Sequence, residues 1–288
     1  MGARFGGHIS RGIHVGIRIG DYELTVLVDT HGVLGSLAEL FPGVPAEAWD
    51  PYRNLYPELF DGEDWRLPFG CFLLGSERHT LLVDAGVGPP QGSFLPSAEG
   101  LLPTALTEVG VDPDEIDVCV LTHLHIDHIG WACSEGRRLC PRASYIASRR
   151  DFNWVEGREP LERDRVLQPL LHLVRSGSLA LVEGTIEVAP GVQMVPTPGH
   201  TPGHSSIRIA SRGSEAIILG DVAVHPALLD HPEWVYLFDV EPEPTVATRR
   251  VVLGGIEGKD VIVACGHYPG GVGRLEREGR RTIWRAVE

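Results

Sequence analysis

The chain has 288 residues, 43% of them hydrophobic and 22% charged, the balance of a water-soluble globular protein with an ample core. A formal net charge of -14 argues against a surface for nucleic acid or for an anionic membrane, since both demand basic patches. No run reaches the ~20 apolar residues of a membrane-spanning helix, and five cysteines without CxxC spacing fit a reduced, cytoplasmic compartment.

The N-terminal residues carry no long apolar run, so secretion is not expected. From Ile13 to Asp29 apolar residues alternate around Gly20-Asp21, which predicts a β-hairpin whose second arm is Leu24 to Asp29. Residues 32–68 change character: Phe41, Trp49, Tyr52, Tyr56, Phe60 and Trp65 are interleaved with Pro42, Pro45, Pro51, Pro57 and Pro68. Prolines break regular structure while aromatics want burial or a ligand. The segment is therefore either a loop packing its own aromatics on the sheet beneath or a flap walling an active site; it could also serve a homodimer contact.

Phe69 to Leu74 and Thr80 to Asp84 read as paired strands, the second closing on a carboxylate and a glycine-rich turn. Asp84 at that strand end is placed to fix the ring of a ligand histidine from behind. Ser97 to Val109 has helical spacing and stops at Gly110, Asp112 to Glu115 makes a turn, and Ile116 to Leu121 is a buried strand. This strand, helix, strand order predicts a layered α/β protein.

Directly after that strand, His123-Leu124-His125-Ile126-Asp127-His128 puts three imidazoles and a carboxylate into six consecutive positions. In extended chain His123 and His125 share a face and can meet one ion, whereas Asp127 and His128 fall where the chain can turn into a helix aimed at a second point. Burying these side chains without a metal would leave several polar groups in need of partners.

Beyond lie a strand at Ala143 to Ala147, helices at Arg149 to Val155 and Leu161 to Val174, and strands at Leu179 to Val182, Thr185 to Val188 and Val192 to Val195. In the stretch from Thr197 to His204 prolines and glycines force a turn right after a strand, leaving His200 on the rim. Ser205 to Ala210 and Ala216 to Leu219 predict a hairpin ending in Gly220-Asp221, and Val261 to Cys265 a buried strand ending in Gly266-His267-Tyr268. Without a linker or tandem repeat, residues 1–288 are expected to form one domain of two related halves.

HxHxDH at 123–128, GHTPGH at 199–204, Gly220-Asp221 and Gly266-His267, in that order, resemble the metallo-β-lactamase-fold hydrolases over nearly the whole chain. The resemblance implies a four-layer αββα sandwich with metals at one edge. It implies His123, His125 and His200 around one ion, Asp127, His128 and His267 around another, and Asp221 bridging them, with His204 a supporting residue. Five imidazoles and two carboxylates suit two zinc ions, with iron or manganese as alternatives. Such a pair would lower the pKa of a bridging water toward ~7 for attack on a carbonyl or phosphoryl centre. Asp127 is a candidate proton shuttle as well as a ligand.

The chain looks similar to N-acyl homoserine lactonases and methyl-parathion-hydrolase-like members. The implied function is dinuclear zinc hydrolysis of a small-molecule lactone or ester of fairly apolar character. Phosphotriester or thioester hydrolysis and iron-dependent redox chemistry are the alternatives. Lactonases of this group often carry a tyrosine three residues after the bridging aspartate, where this chain has Val224. His225 and Tyr268 are then the candidates for substrate contact. A structural zinc module is disfavoured because no cysteine falls in the motifs.

Overall fold

The computed structural model describes residues 16–89 and 99–287, the side chains of 161–165 and 168–169 excepted. Strand β1 (Gly16–Ile19) turns at Gly20-Asp21 into β2 (Tyr22–Ser36), as the alternation predicts, but β2 runs well past Asp29. The irregular stretch is thereby narrower than the proline pattern suggests. Only residues 37–63 separate β2 from its partner, and they hold α1 (Leu37–Leu40), α2 (Asp50–Leu55) and β3 (Phe60–Asp61) before β4 (Asp64–Gly75). Pro51 sits in the first turn of α2, where a missing N–H costs nothing.

The first half continues through β5 (Thr80–Val83), α3 (Leu102–Glu108), β6 (Val118–Val120), α4 (Ile126–Ile129), a small ribbon of β7 (Cys133–Ser134) and β8 (Arg137–Arg138), β9 (Ser144–Ser148), α5 (Arg149–Glu156), α6 (Pro160–Arg175) and β10 (Leu179–Val182). The expected helix start at Ser97 lies outside the described residues. The first sheet runs β1-β2-β4-β5-β6-β9-β10, antiparallel as far as β5 and parallel from β5 to β10.

The second half is β11 (Ile186–Ala189), β12 (Val192–Pro196), β13 (Ser205–Ser211), β14 (Ser214–Ile218), α7 (Pro242–Ile256), β15 (Val261–Ala264), β16 (Val272–Glu278) and β17 (Arg281–Ala286). These strands pair in chain order, and β14–β15 is parallel. A parallel neighbour needs a crossover, which α7 supplies. The sequence reading passes over α7 and the β16–β17 hairpin. Val246, Thr248, Val251, Val252 and Gly254-Gly255 depress helix propensity, leaving Pro242 in the first turn as the start signal.

Period-two alternation sorts each strand between two cores. In β4, Phe72 and Leu74 face the second sheet, where Ile207, Ile218, Ile262 and Ala264 meet them, while Cys71 and Leu73 face Leu106 of α3, Val155 of α5 and Leu170 of α6. In β15, Val261 and Val263 turn outward to Leu253 of α7 and to the aromatics of residues 41–65. The layers are thus helix, sheet, sheet, helix, the expected sandwich. Trp49 and Trp65 are 1% and 0% exposed, so the aromatics of the segment pack on the second sheet.

The loops after β5, β6, β12, β14 and β15 come together at one edge. Ser205 N donates to Thr122 O at 2.9 Å and Gly70 N to Gly266 O at 3.0 Å, joining the two sheets there. Behind them α4 is pressed against the turn after β5: Ala85 N donates to His128 O and Gly130 N to Gly86 O, both at 2.7 Å. A Cβ on Gly130 would stand 2.2 to 2.4 Å from backbone atoms of Val87 and Gly88. Gly130→Ala must therefore displace α4, and an overpacking cost of ~1–3 kcal/mol is expected in urea unfolding. A loss under ~0.5 kcal/mol, the range of an ordinary surface substitution, would contradict this close approach.

Candidate functional site

His123 and His125 leave β6 in extended chain, and the helical turn of α4 begins one residue later. That switch brings Asp127 and His128 in beside the first two histidines, with the His123 and His128 ring centroids 4.0 Å apart. His200 lies on the turn between β12 and β13, Asp221 follows β14 and His267 follows β15. Gly220 precedes Asp221 with φ +57, a conformation that favours glycine, and a Cβ there would come within 2.5 Å of His204 Nε2.

All seven side chains converge. His123 Nε2 and His125 Nδ1 are 3.1 Å apart, and His125 Nδ1 and His200 Nε2 2.9 Å apart. Asp221 lies between the two groups: its Oδ2 is 3.2 Å from His200 Nε2, 3.5 Å from His267 Nε2 and 3.9 Å from His123 Nε2, and its Oδ1 is 3.5 Å from His128 Nε2. Asp127 Oδ2 is 3.5 Å from His128 Nε2 and 3.6 Å from His267 Nε2. Three sets could hold a metal ion, with their ligand atoms within 4.8 Å of one another: His123, His125 and His200; His123, His128 and Asp221; Asp127, His128 and His267.

The chemistry of the donors fits a cation. His128 Nε2 is buried and has no hydrogen-bond partner, an expensive state for a ring nitrogen unless an ion takes its lone pair. Burial, then the neighbouring His200, pushes His125 down to about 3, which keeps its nitrogens available. Burial opposes the charge on Asp127, but His128 and His267 outweigh it and hold the carboxylate at about 2.

The far sides of four of the five rings, those of His123, His128, His200 and His267, are held by the protein. Asp84 Oδ2 is 2.8 Å from His128 Nδ1. Asp84 also accepts from Thr122 N at 2.7 Å, while Thr122 Oγ1 contacts His123 Nδ1 at 3.1 Å. Pro68 O accepts from His267 Nδ1 and Asp239 Oδ1 from His200 Nδ1, both at 2.9 Å. Such partners set tautomer and ring angle. His204 stays out of the cluster: its Nε2 accepts from Asp221 N at 2.9 Å while its Nδ1 donates to Thr197 O at 3.0 Å. Burial holds it neutral, at about 3.

Sequence reasoning misses Asp239 and Asp151. Asp151 is buried at the start of α5 and accepts from Leu124 N at 3.1 Å, Thr201 Oγ1 at 2.8 Å and Gly203 N at 2.5 Å, clamping the two histidine-bearing loops together. Neither aspartate sits in a motif, and only folding brings them to the site.

The two expected substrate contacts are not in the cleft. His225 is 0% exposed, with Trp49 and Trp65 ring centroids at 5.1 and 5.4 Å, and Tyr268 is 0% exposed with its hydroxyl donating to His225 O at 3.4 Å. Burial makes both part of the aromatic core, and Val224 lies there with them. The cleft over the cluster, about 390 Å³, has His125, Asp127, His200, Asp221 and His267 on its floor. Its walls are Leu34, Leu67 and Phe69 from β2 and β4, Ile126, Trp154 and Val166 from α4 to α6, and Tyr236, Leu237, Phe238 and Val240.

The profile of the metallo-β-lactamase superfamily matches residues 71–267. An N-acyl homoserine lactonase of Bacillus thuringiensis is 30% identical over 183 residues, 58% of this chain and 68% of the relative. The N-acyl homoserine lactonase AttM of Rhizobium radiobacter is 25% identical over 245 residues, 75% of this chain and 88% of the relative. In fold, the chain is similar to AidC, a dizinc quorum-quenching lactonase solved with the product N-hexanoyl-L-homoserine, with a TM-score of 0.82 and 19% identity over 96% of this chain and 97% of that one. The hydrolase AbOPH gives the same TM-score at 21% identity and the same coverage. Because the matched residues take in every histidine and aspartate of the cluster, the chain belongs to the metallo-β-lactamase superfamily and is a metal-dependent hydrolase.

Proposed function

We propose that the chain is a dinuclear zinc lactonase acting on a small lactone with an apolar substituent. The observation that carries this reading is the cleft itself, whose polar floor is the ligand cluster and whose walls are largely apolar. A substrate that puts a polar ring on the floor and an acyl chain along the walls fits both surfaces. The lactonase relatives support the same reading.

On this reading His123, His125 and His200 would hold one ion and Asp127, His128 and His267 the other, with Asp221 available to both. When bound, two such ions acidify water and polarise the attacked carbonyl. Asp127, ionised and facing the cleft, takes the proton of the attacking water and returns it to the leaving alkoxide as the ring C–O bond breaks. Tyr236 lines the cleft with its ring parallel to His200, and burial, followed by the charges of Asp127, Asp221 and Asp239, keeps its phenol protonated. That hydroxyl is the donor for the substrate's carbonyl oxygen, in place of the tyrosine absent at Val224.

The zinc-loaded chain is expected to open N-hexanoyl-homoserine lactone faster than it cleaves an aryl phosphotriester or a thioester, and failure to turn over any lactone would end this reading. Stripping the metal with a chelator should abolish activity and lower Tm, and zinc should restore both. His123→Ala and Asp221→Asn should each cost ~1000-fold in kcat/KM, the scale of several kcal/mol of charge stabilisation, and Asp84→Asn ~10–100-fold. Tyr236→Phe removes one hydrogen bond, and a loss of ~10-fold in kcat/KM is expected.

A further inference from the structure

Between Asp221 and α7 the chain has no strand and no α-helix, only a short 3-10 turn at Pro226–Leu229. Yet this stretch supplies the cleft wall from Tyr236 to Val240 and the carboxylate behind His200. With no strand ladder, its backbone groups must find partners elsewhere.

Some are met by turns and neighbouring loops, such as Leu237 N to Leu40 O and Val240 N to His200 O, and Arg249 on α7 takes three of the carbonyls. It is 0% exposed, and no other arginine or lysine is so buried among the described residues. Its Nε donates to Val222 O at 2.7 Å, and its Nη1 to Trp234 O at 2.7 Å and Pro232 O at 3.0 Å. Its Nη2 faces Asp239 Oδ2 at 3.4 Å. Val222 directly follows Asp221, and Trp234 and Asp239 flank Tyr236, whose N–H also donates to Asp239 Oδ2 at 3.0 Å. The other oxygen of Asp239 meets His200. One rigid guanidinium thus ties four points of an irregular segment to a helix.

We infer that Arg249 is a positioning residue of the site: from α7 it sets the angle of the His200 ring through Asp239 and the position of the Tyr236 wall, and so governs how tightly one of the two ions is held. The inference rests on the two-ion reading above. Its signature is asymmetry. His128 and His267 are steadied by Asp84 and by Pro68 O, which Arg249 does not touch, so the ion on their side depends on it only through Val222 beside the shared Asp221.

The test titrates zinc into the metal-stripped full chain against a chromophoric chelator. The wild type is expected to take up two equivalents. In Arg249→Lys, where a single ammonium cannot reach all four acceptors, one equivalent should weaken ~10–100-fold and the other by clearly less. The KM for a long-chain lactone should rise more than kcat falls. Two unchanged affinities in folded Arg249→Lys, or equal loss of both, would overturn the inference. Asp239→Asn leaves Arg249 its three carbonyls and should weaken the same equivalent; it decides the matter if Arg249→Lys does not fold. A wild type that binds two zinc ions but opens no lactone removes the proposed activity and leaves this inference standing. One that binds fewer than two overturns both.

Discussion

The Asp221 carboxylate lies within 3.9 Å of ring nitrogens of His123, His128, His200 and His267, groups carried by loops after β6, β12 and β15 and by α4. Charge packed this densely out of water interacts far more strongly than it would at a surface. Burial opposes ionisation of Asp221, but His267 and His128 outweigh it and hold the group well below the ordinary carboxylate range. The rest of the structure delivers those side chains to that carboxylate. Two sheets stack with the ends of β5, β6, β12, β14 and β15 on one edge, and backbone hydrogen bonds between the sheets hold that edge closed.

Around this centre stands a second set of acids with a different task. Asp29, Asp84, Asp151 and Asp239 are all buried, and the last three accept from backbone N–H groups of segments that carry the cluster or line the cleft. Asp29 binds Val87 N, Leu102 N and the Trp131 indole, joining the turn after β5 to the start of α3. Burial raises the pKa of Asp29 and lifts that of Asp151 to about 6, with hydrogen bonds pulling the other way. A carboxylate that needs several donors to remain buried also dictates where those donors are, which is how irregular loops acquire fixed geometry. Part of the chain's acidic balance therefore resides inside the molecule.

The aromatic segment contributes from further out. Phe41, Trp49, Phe60 and Trp65 enclose His225, whose Nδ1 accepts from Ala227 N and which burial holds near 3. This core locks the segment after β2 to the stretch that follows Asp221, so the back of the cleft wall rests on packed rings. The cleft is lined by other residues, among them strand positions from β2 and β4 and the exposed Leu237 and Phe238.

The amino-acid sequence by itself determined the layered class, the strands that lead into the cluster and the seven clustered side chains, because strand ends, proline-glycine turns and dense ligand spacing are local features. Apolar runs and alternation placed β5, β6, β12, β14 and β15 to within two residues, and most of the clustered side chains lie just beyond those ends. Helix α7 escaped because β-branched residues and paired glycines hide its period. Asp151, Asp239, Arg249 and Tyr236 carry no local signature; each matters through atoms far away in the chain, as Asp151 does with Gly203 and Arg249 with Val222. Only the tertiary structure decided that His225 and Tyr268 belong to the core and Tyr236 to the cleft. Side-chain burial depends on which surfaces the sheets and loops bring together, and a run of aromatics and prolines reads the same whichever side it faces.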